Sequence, residues 1–305
     1  VPLAAAYWVA DRCGDLAYVL CVPLRRNVAD NLGQVLGPGA SARQVEWVVR
    51  RVFRTSARNL VDLLRVPHVS PEELARSVQV CPGRWAEFER LAAAGQGVLL
   101  VTAHLGPFDI VGQVLTARRY PFITLTRRTV PVLLDVVVHS LRTSHGLRIE
   151  PESPGAIRRM LEALRRGELV GLVADWDGSR SGAPVVFFGR ETTLPAGPVR
   201  LARATGAPIL AAFARRLQRG YQLMLEPPFY VERTGDAVGD LRAGLQRLVE
   251  LFERHIREAP EQWVIFQRVW PDRLLAAHPR VLGAPALAAG PLGQETGASC
   301  PPVAS

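Results

Sequence analysis

Apolar residues recur along this chain in two rhythms. Over Ser41 to about Leu64 they return every three or four positions (Val45, Val48, Val49, Val52, Phe53) with arginines between them, which predicts an amphipathic helix. A second, short helix is predicted after Ser70, where Ser-Pro-Glu-Glu supplies a capping hydroxyl, a proline at the first helical position and two acids in the first turn. Trp85 to Ala94 reads as a helix stopped by Gly95. From Gly97 the rhythm changes to short apolar runs alternating with helical ones: GVLLVTAH, DIVGQVLTA, PFITLTRR, VLLDVVVHSLRTS, LRIEP, AIRRMLEALRRG and ELVGLVAD. This alternation predicts an α/β domain with a mostly parallel sheet flanked by helices, its strands buried on both faces. PVRLARAT and PILAAFARR add a helix and a strand, YQLMLEPPFYV adds an antiparallel strand, and residues 236–258 form the last helix. A site should then lie at the carboxyl ends of the parallel strands.

The two ends differ from this middle. The opening VPLAAAYWVADRCGDLAYVLCVPLRR is apolar in two pieces interrupted by Asp11, Arg12 and Asp15, and neither piece reaches the length that spans a bilayer. It lacks a basic leader and a small-residue cleavage site. An interfacial helix on the inner leaflet, with Arg25 and Arg26 at the headgroups, fits the pattern; a core helix of a soluble domain fits it equally. After about Leu275 the chain turns to Ala, Gly and Pro, the composition of a disordered tail. The expected organisation is a membrane-associating segment over 1–40, an α/β domain over 41–275 and a tail over 276–305.

Composition narrows the partners. The 305 residues are 48% hydrophobic and 21% charged, as in a folded globular protein. The net charge of +9 suits nucleic acid, an anionic membrane surface or phosphorylated substrates. Every basic residue is arginine, a coding bias that weakens arguments from any single one. No basic stripe with interleaved aromatics is present, so a membrane surface is expected and nucleic acid is not. Cys13, Cys21, Cys81 and Cys300 form no CxxC pair and have no histidine at ligand spacing, which predicts free thiols and no structural zinc.

The chemistry concentrates in VLLVTAHLGPFDIVG. An apolar strand ends at Thr102 and Ala103, His104 follows, and Asp109 comes five residues later at the start of a helix. A turn that returns the carboxylate to the imidazole would form a dyad in which histidine takes a proton from an alcohol and the acid fixes its tautomer. No Ser or Cys stands inside the motif, so the attacking atom would belong to the substrate. Asp175, Ser179 and Arg180 follow ELVGLVAD at the same sheet edge, and Arg180 could bind a phosphate. Asp175 and Asp177 could hold a metal, but two carboxylates without further ligands more often cap a turn. Phe187 and Phe188 suit either an acyl pocket or the core. His68, His139, His145, His255 and His278 have no acid at useful spacing.

AHLGPFDIVG resembles the His-x4-acid motif of glycerolipid acyltransferases, in the form found in the bacterial lipid A biosynthesis and phosphatidylinositol mannoside acyltransferase family. LVADWDGSRSGAPVVFFGRETTLPAGPVRLARATGAPIL resembles that family's later signature. The opening AYWVADRCGDLAYVL, the pair Asn31-Leu32 and the late EQWVIFQRVW agree, so the likeness covers roughly residues 1 to 273.

The resemblance implies a glycerolipid acyltransferase-like fold with N-terminal membrane-associating helices. It implies His104 as general base with Asp109 as its partner, an acyl-CoA or acyl-ACP thioester as donor, and a hydroxyl of a membrane glycolipid or lysophospholipid as acceptor. No cofactor and no metal are expected, and the place is the cytoplasmic face of the inner membrane. Amides from Gly106 to Asp109, with Arg127 or Arg128 at the end of PFITLTRR, would face the oxyanion; a solvated arginine pair opening a loop is the alternative. In the mannoside acyltransferases an acid precedes the second of these arginines, whereas Arg127 stands there in this chain. That departure sustains a second reading, a non-catalytic acyl-lipid-binding protein on the same fold. A soluble hydrolase is disfavoured because no Gly-x-Ser-x-Gly elbow occurs.

Overall fold

The computed structural model describes residues 2–127, 132–179 and 181–271. The segment predicted as a disordered tail, 276–305, lies outside the described residues, as do Arg128, Arg180 and His278.

Three helices open the chain: α1 (Leu3–Leu20), α2 (Val22–Leu36) and α3 (Ala42–Arg65). The acids that interrupt the apolar opening face α3. Asp11 accepts a two-pronged pair from Arg58 at 2.6 Å, and Asp15 accepts Arg54 at 2.7 and 2.8 Å and Arg50 at 2.8 Å. Those guanidiniums hold the Asp15 carboxyl far below its ordinary range. Between them sits Gly14, where an added Cβ would come within 2.8 Å of the Arg54 Cα, so only glycine allows the two helices to approach this closely. The opposite side of α1 leaves Trp8, Val9, Leu16, Val19 and Leu20 exposed. Thus α1 is packed on one face and bare on the other. Among the described residues no helix is long and apolar enough to cross a membrane.

α3 begins on a capping box between Ser41 and Gln44, and α4 (Pro71–Arg76) begins with the Ser70 hydroxyl accepting the Glu73 amide. Then follow β1 (Val78–Val80), α5 (Pro82–Ala93), β2 (Val98–Thr102), α6 (Phe108–Ala117), β3 (Phe122–Thr126) and α7 (Val132–Thr143). Next are β4 (Arg148–Pro151), α8 (Pro154–Arg165), β5 (Leu169–Val173), β6 (Ala183–Phe187), β7 (Arg190–Leu194) and α9 (Gly197–Thr205). β8 (Ile209–Arg216), β9 (Tyr221–Leu225) and α10 (Ala237–Glu258) complete the series.

Seven strands form one sheet in the order β1-β9-β8-β2-β5-β3-β4. All neighbours are parallel except β8 and β9, so the expected parallel sheet with one antiparallel strand is present. Its central strands are buried on both faces: Val98, Leu99 and Val101 of β2 and Val170 of β5 are fully enclosed. Sequence reading missed the β6–β7 hairpin, whose turn holds Phe188 at φ +50° beside Gly189. Phe187 and Phe188 pack against Trp263 and Trp270 in the core, which decides between their two readings. Asn31 of α2 ties the end of the described chain to this core, donating to the Gln267 carbonyl at 2.7 Å and accepting the Val269 amide at 3.1 Å.

Cys13 and Cys21 are free, but Cys81 is disulfide-bonded, against the expectation of free thiols. Spacing along the chain excludes a CxxC pair and is silent about cysteines far apart in sequence.

Candidate active site

β2, β5 and β3 run parallel, so their carboxyl ends share one edge. Thr102 of β2 pairs in register with Val173 of β5. Two residues past each strand stand His104 and Asp175, which this register brings level. The imidazole Nδ1 lies 2.7 Å from Asp175 Oδ1, and the His104 amide donates to Oδ2 at 3.0 Å. The Trp263 indole N–H donates to the same Oδ2 at 2.7 Å. The Asp175 side chain is wholly enclosed, whereas the His104 side chain is 30% exposed. Burial opposes charge on both groups, but the pairing prevails: it raises the His104 pKa above its ordinary value and lowers that of Asp175.

This geometry corrects two expectations. Asp109 is not the acid on Nδ1; its carboxylate is held by Arg142 of α7 at 2.8 and 3.1 Å. The helix that begins at Phe108 carries Asp109 away from the Nδ1 edge, while the strand register delivers Asp175 to it. Asp109 and Arg142 still act on His104 through their charges, the first raising and the second lowering its pKa. Nor is Asp175 a substrate ligand, because no part of it reaches the surface.

The Gly106 turn also differs from expectation. Its N–H donates to the Gln262 carbonyl at 2.8 Å and its carbonyl accepts from Asn59 at 2.8 Å, so its amide is spent and cannot serve an oxyanion. Gly106 has φ +57°, and a Cβ there would lie 2.2 Å from the Ala214 carbonyl oxygen. Only glycine fits, and its role is to let the turn fold against β8. The neighbouring Val264 amide donates to the His104 carbonyl at 2.8 Å. The segment from Gln262 to Val264 therefore grips the turn on one side and, through Trp263, the acid on the other.

Among the remaining candidates, Arg127 stands at the expected edge but is paired with Glu152 at 2.8 Å and lies over the Trp176 ring. Ser179 turns inward on Asp177, donating from its amide at 3.1 Å and its hydroxyl at 2.6 Å. Asp177 further accepts the Gly182 amide and the Thr193 hydroxyl, which makes it a turn cap. Among the described residues no cluster of His, Cys, Asp or Glu is arranged to hold a metal ion. Sequence reading missed Arg142, Trp263 and Asn59; it also missed the acid beside His255, which is Glu226 at 2.6 Å.

A buried acid fixing one nitrogen of a strand-end histidine, in an α/β sheet with this edge, suits proton transfer to and from a substrate oxygen or sulfur. Comparison with known proteins gives the family. The sequence model of a family described as bacterial lipid A biosynthesis acyltransferase matches residues 1–272. The chain belongs to that family. This acyltransferase is 31% identical over 243 residues to a phosphatidylinositol mannoside acyltransferase of Mycobacterium tuberculosis, covering 79% of this chain and 75% of the relative. It is 28% identical over 252 residues to the protein of the same name from Mycolicibacterium smegmatis, covering 81% and 78%. The acyltransferase is thus an enzyme of lipid and glycolipid biosynthesis, as the resemblance of its motifs implied.

Proposed function

We propose that this enzyme transfers a fatty acyl group from a thioester, carried on coenzyme A or acyl carrier protein, to a hydroxyl of a membrane glycolipid or lysophospholipid, with His104 as general base. The observation that carries the reading is the enclosed Asp175 on Nδ1 of a half-open histidine. With Nδ1 donating to Asp175, Nε2 holds the lone pair. It takes the proton of the acceptor hydroxyl as that oxygen attacks the thioester carbonyl carbon. The tetrahedral oxyanion collapses, the C–S bond breaks, and the imidazolium returns the proton to the leaving sulfur. An ester and a free thiol result, and no resident cofactor or metal takes part. The oxyanion donors are then the first-turn amides of α6 at Phe108 and Asp109, which a helix leaves without intrahelical acceptors. Arg128 and Arg180 remain candidates for phosphate contacts of donor or acceptor.

The relatives' names favour a mannoside of phosphatidylinositol as acceptor, and the arginine at position 127 disfavours it. A non-catalytic lipid binder was suggested by the acid missing at that position. Asp175 supplies the histidine with a carboxylate from another strand, which favours catalysis. The exposed apolar face of α1 and the net charge of +9 support peripheral attachment to an anionic membrane surface, on the cytoplasmic side where acyl thioesters are made.

Replacing His104 by Ala should reduce transfer of labelled acyl chains from thioester to a total lipid extract by about a thousandfold, within the range for loss of a positioned base. Circular dichroism should be unchanged. Undiminished transfer would sink the reading, and mass spectrometry of the wild-type product identifies the acceptor.

A further inference from the structure

Among the buried polar groups that the mechanism does not use is a cluster around Arg216. Arg216, the last residue of β8, has a side chain 9% exposed and pairs with Asp62 of α3, which is 1% exposed. Its guanidinium also donates to the Tyr7 hydroxyl of α1 at 2.7 Å and to Asn59 Oδ1 at 2.6 Å. Tyr7 in turn donates to Asp62 at 2.5 Å. A buried ion pair adds little net stability, because desolvation of both charges offsets their attraction. What this pair does instead is fix directions. By occupying the oxygen of Asn59 it aims the amide nitrogen at the Gly106 carbonyl, 2.8 Å away. The backbone of Arg216 holds the other side: its N–H donates to Gln262 Oε1 at 2.8 Å, and the Gln262 carbonyl accepts the Gly106 N–H at 2.8 Å. Both polar groups of the Gly106 peptide backbone therefore hang from Arg216, one through its guanidinium and one through its main chain. Gly106 is two residues from His104 and has no side chain of its own to hold it.

We infer that Tyr7, Asp62, Arg216 and Asn59 are positioning residues that hold the His104 turn against Asp175 and tie its geometry to the seating of α1, the helix whose outer face is apolar. The inference rests on the base role of His104. Neither Asn59 nor Tyr7 touches the reacting atoms; each acts through the turn. A displaced turn costs turnover and leaves donor affinity intact, since small misplacements of a base act on the transition state.

The test uses the full-length enzyme with Asn59→Ala, Tyr7→Phe and the double variant. Tyr7→Phe removes one hydroxyl and keeps the packing, so the test does not depend on variants of the ion pair itself that could fail to fold. Asn59→Ala should lower kcat about tenfold with KM for the thioester within twofold, the size expected for one hydrogen bond on the turn. Tyr7→Phe should lower kcat by less, and the double variant should fall no further than Asn59→Ala alone, because the two lie on one connected path. Independently of turnover, proton NMR of 15N-histidine-labelled enzyme should show the Nδ1 proton of His104, identified by its loss in His104→Gln, moved or broadened in both single variants. The Nε2 proton of His255 should stay in place. Losses that multiply in the double variant, an unmoved His104 signal, or His104 and His255 signals that move together would each overturn the inference. The NMR readings stand even if His104→Ala retains activity, so failure of the base assignment is distinguishable from failure of the positioning.

Discussion

Two histidines of this molecule sit against carboxylates at nearly the same distance, His104 on Asp175 at 2.7 Å and His255 on Glu226 at 2.6 Å. Their surroundings differ in every respect that bears on chemistry. His104 stands on a turn at the carboxyl end of β2 with its ring partly open, and its acid contacts only the ring, the amide of the same residue and Trp263 among the described residues. His255 lies inside α10, is 7% exposed and stacks on Phe213 at 4.1 Å between ring centres. Glu226 is shared with Arg254 at 2.6 Å. The second pair fastens α10 to the end of β9, and no substrate could approach it. A short imidazole–carboxylate distance is thus not a sign of a base. What sets the His104 pair apart is a partly open ring and an acid that shares no ion pair with an arginine among the described residues, whereas Glu226 also pairs with Arg254.

On the catalytic side, Asp175→Asn should lower kcat by about a thousandfold while conserving shape, since the amide can no longer stabilise the imidazolium or hold its tautomer. A steady-state assay with thioester and lipid extract measures it, and a loss below tenfold would leave the two pairs indistinguishable. On the structural side, His255→Leu should leave kcat within twofold of wild type. It should cost about 1–3 kcal/mol of stability, because Glu226 loses a partner in a largely enclosed place. Urea unfolding of the purified variant measures that cost, and an unchanged midpoint would remove the fastening role.

Much of this was readable before the structure. The alternation after Gly97 predicted the parallel sheet, and the end of VLLVTAH predicted the edge where His104 stands. Asp11 and Asp15 in an apolar helix spoke against a spanning segment. The partner of the histidine was obscured by proximity: Asp109 is five residues away and opens a helix, whereas Asp175 is reached only through the pairing of β2 with β5. A signal for it was present, since VLLVTAH and LVGLVAD align end to end as neighbouring parallel strands would, with His104 opposite Asp175. Nothing in sequence spacing could have brought Trp263, Asn59 or Arg216 to the same turn, because each arrives on a different element. The β6–β7 hairpin was hidden by Phe188, a bulky residue at a positive φ where sequence reasoning expects glycine.

Of the two acids, Asp175 on Nδ1 raises the His104 pKa more than Asp109 does. The most direct test is the pH profile of kcat for wild type, Asp175→Asn and Asp109→Asn. A base works when unprotonated, and although burial opposes it the Asp175 charge raises the His104 pKa above the ordinary imidazole value, so the wild-type acid limb should lie above where a free imidazole titrates. In Asp175→Asn burial acts with less opposition and disfavours the imidazolium, so the limb should move to lower pH even as the plateau falls. In Asp109→Asn it should move the same way by a smaller amount. A limb that stays in place in Asp175→Asn and shifts in Asp109→Asn would contradict the account.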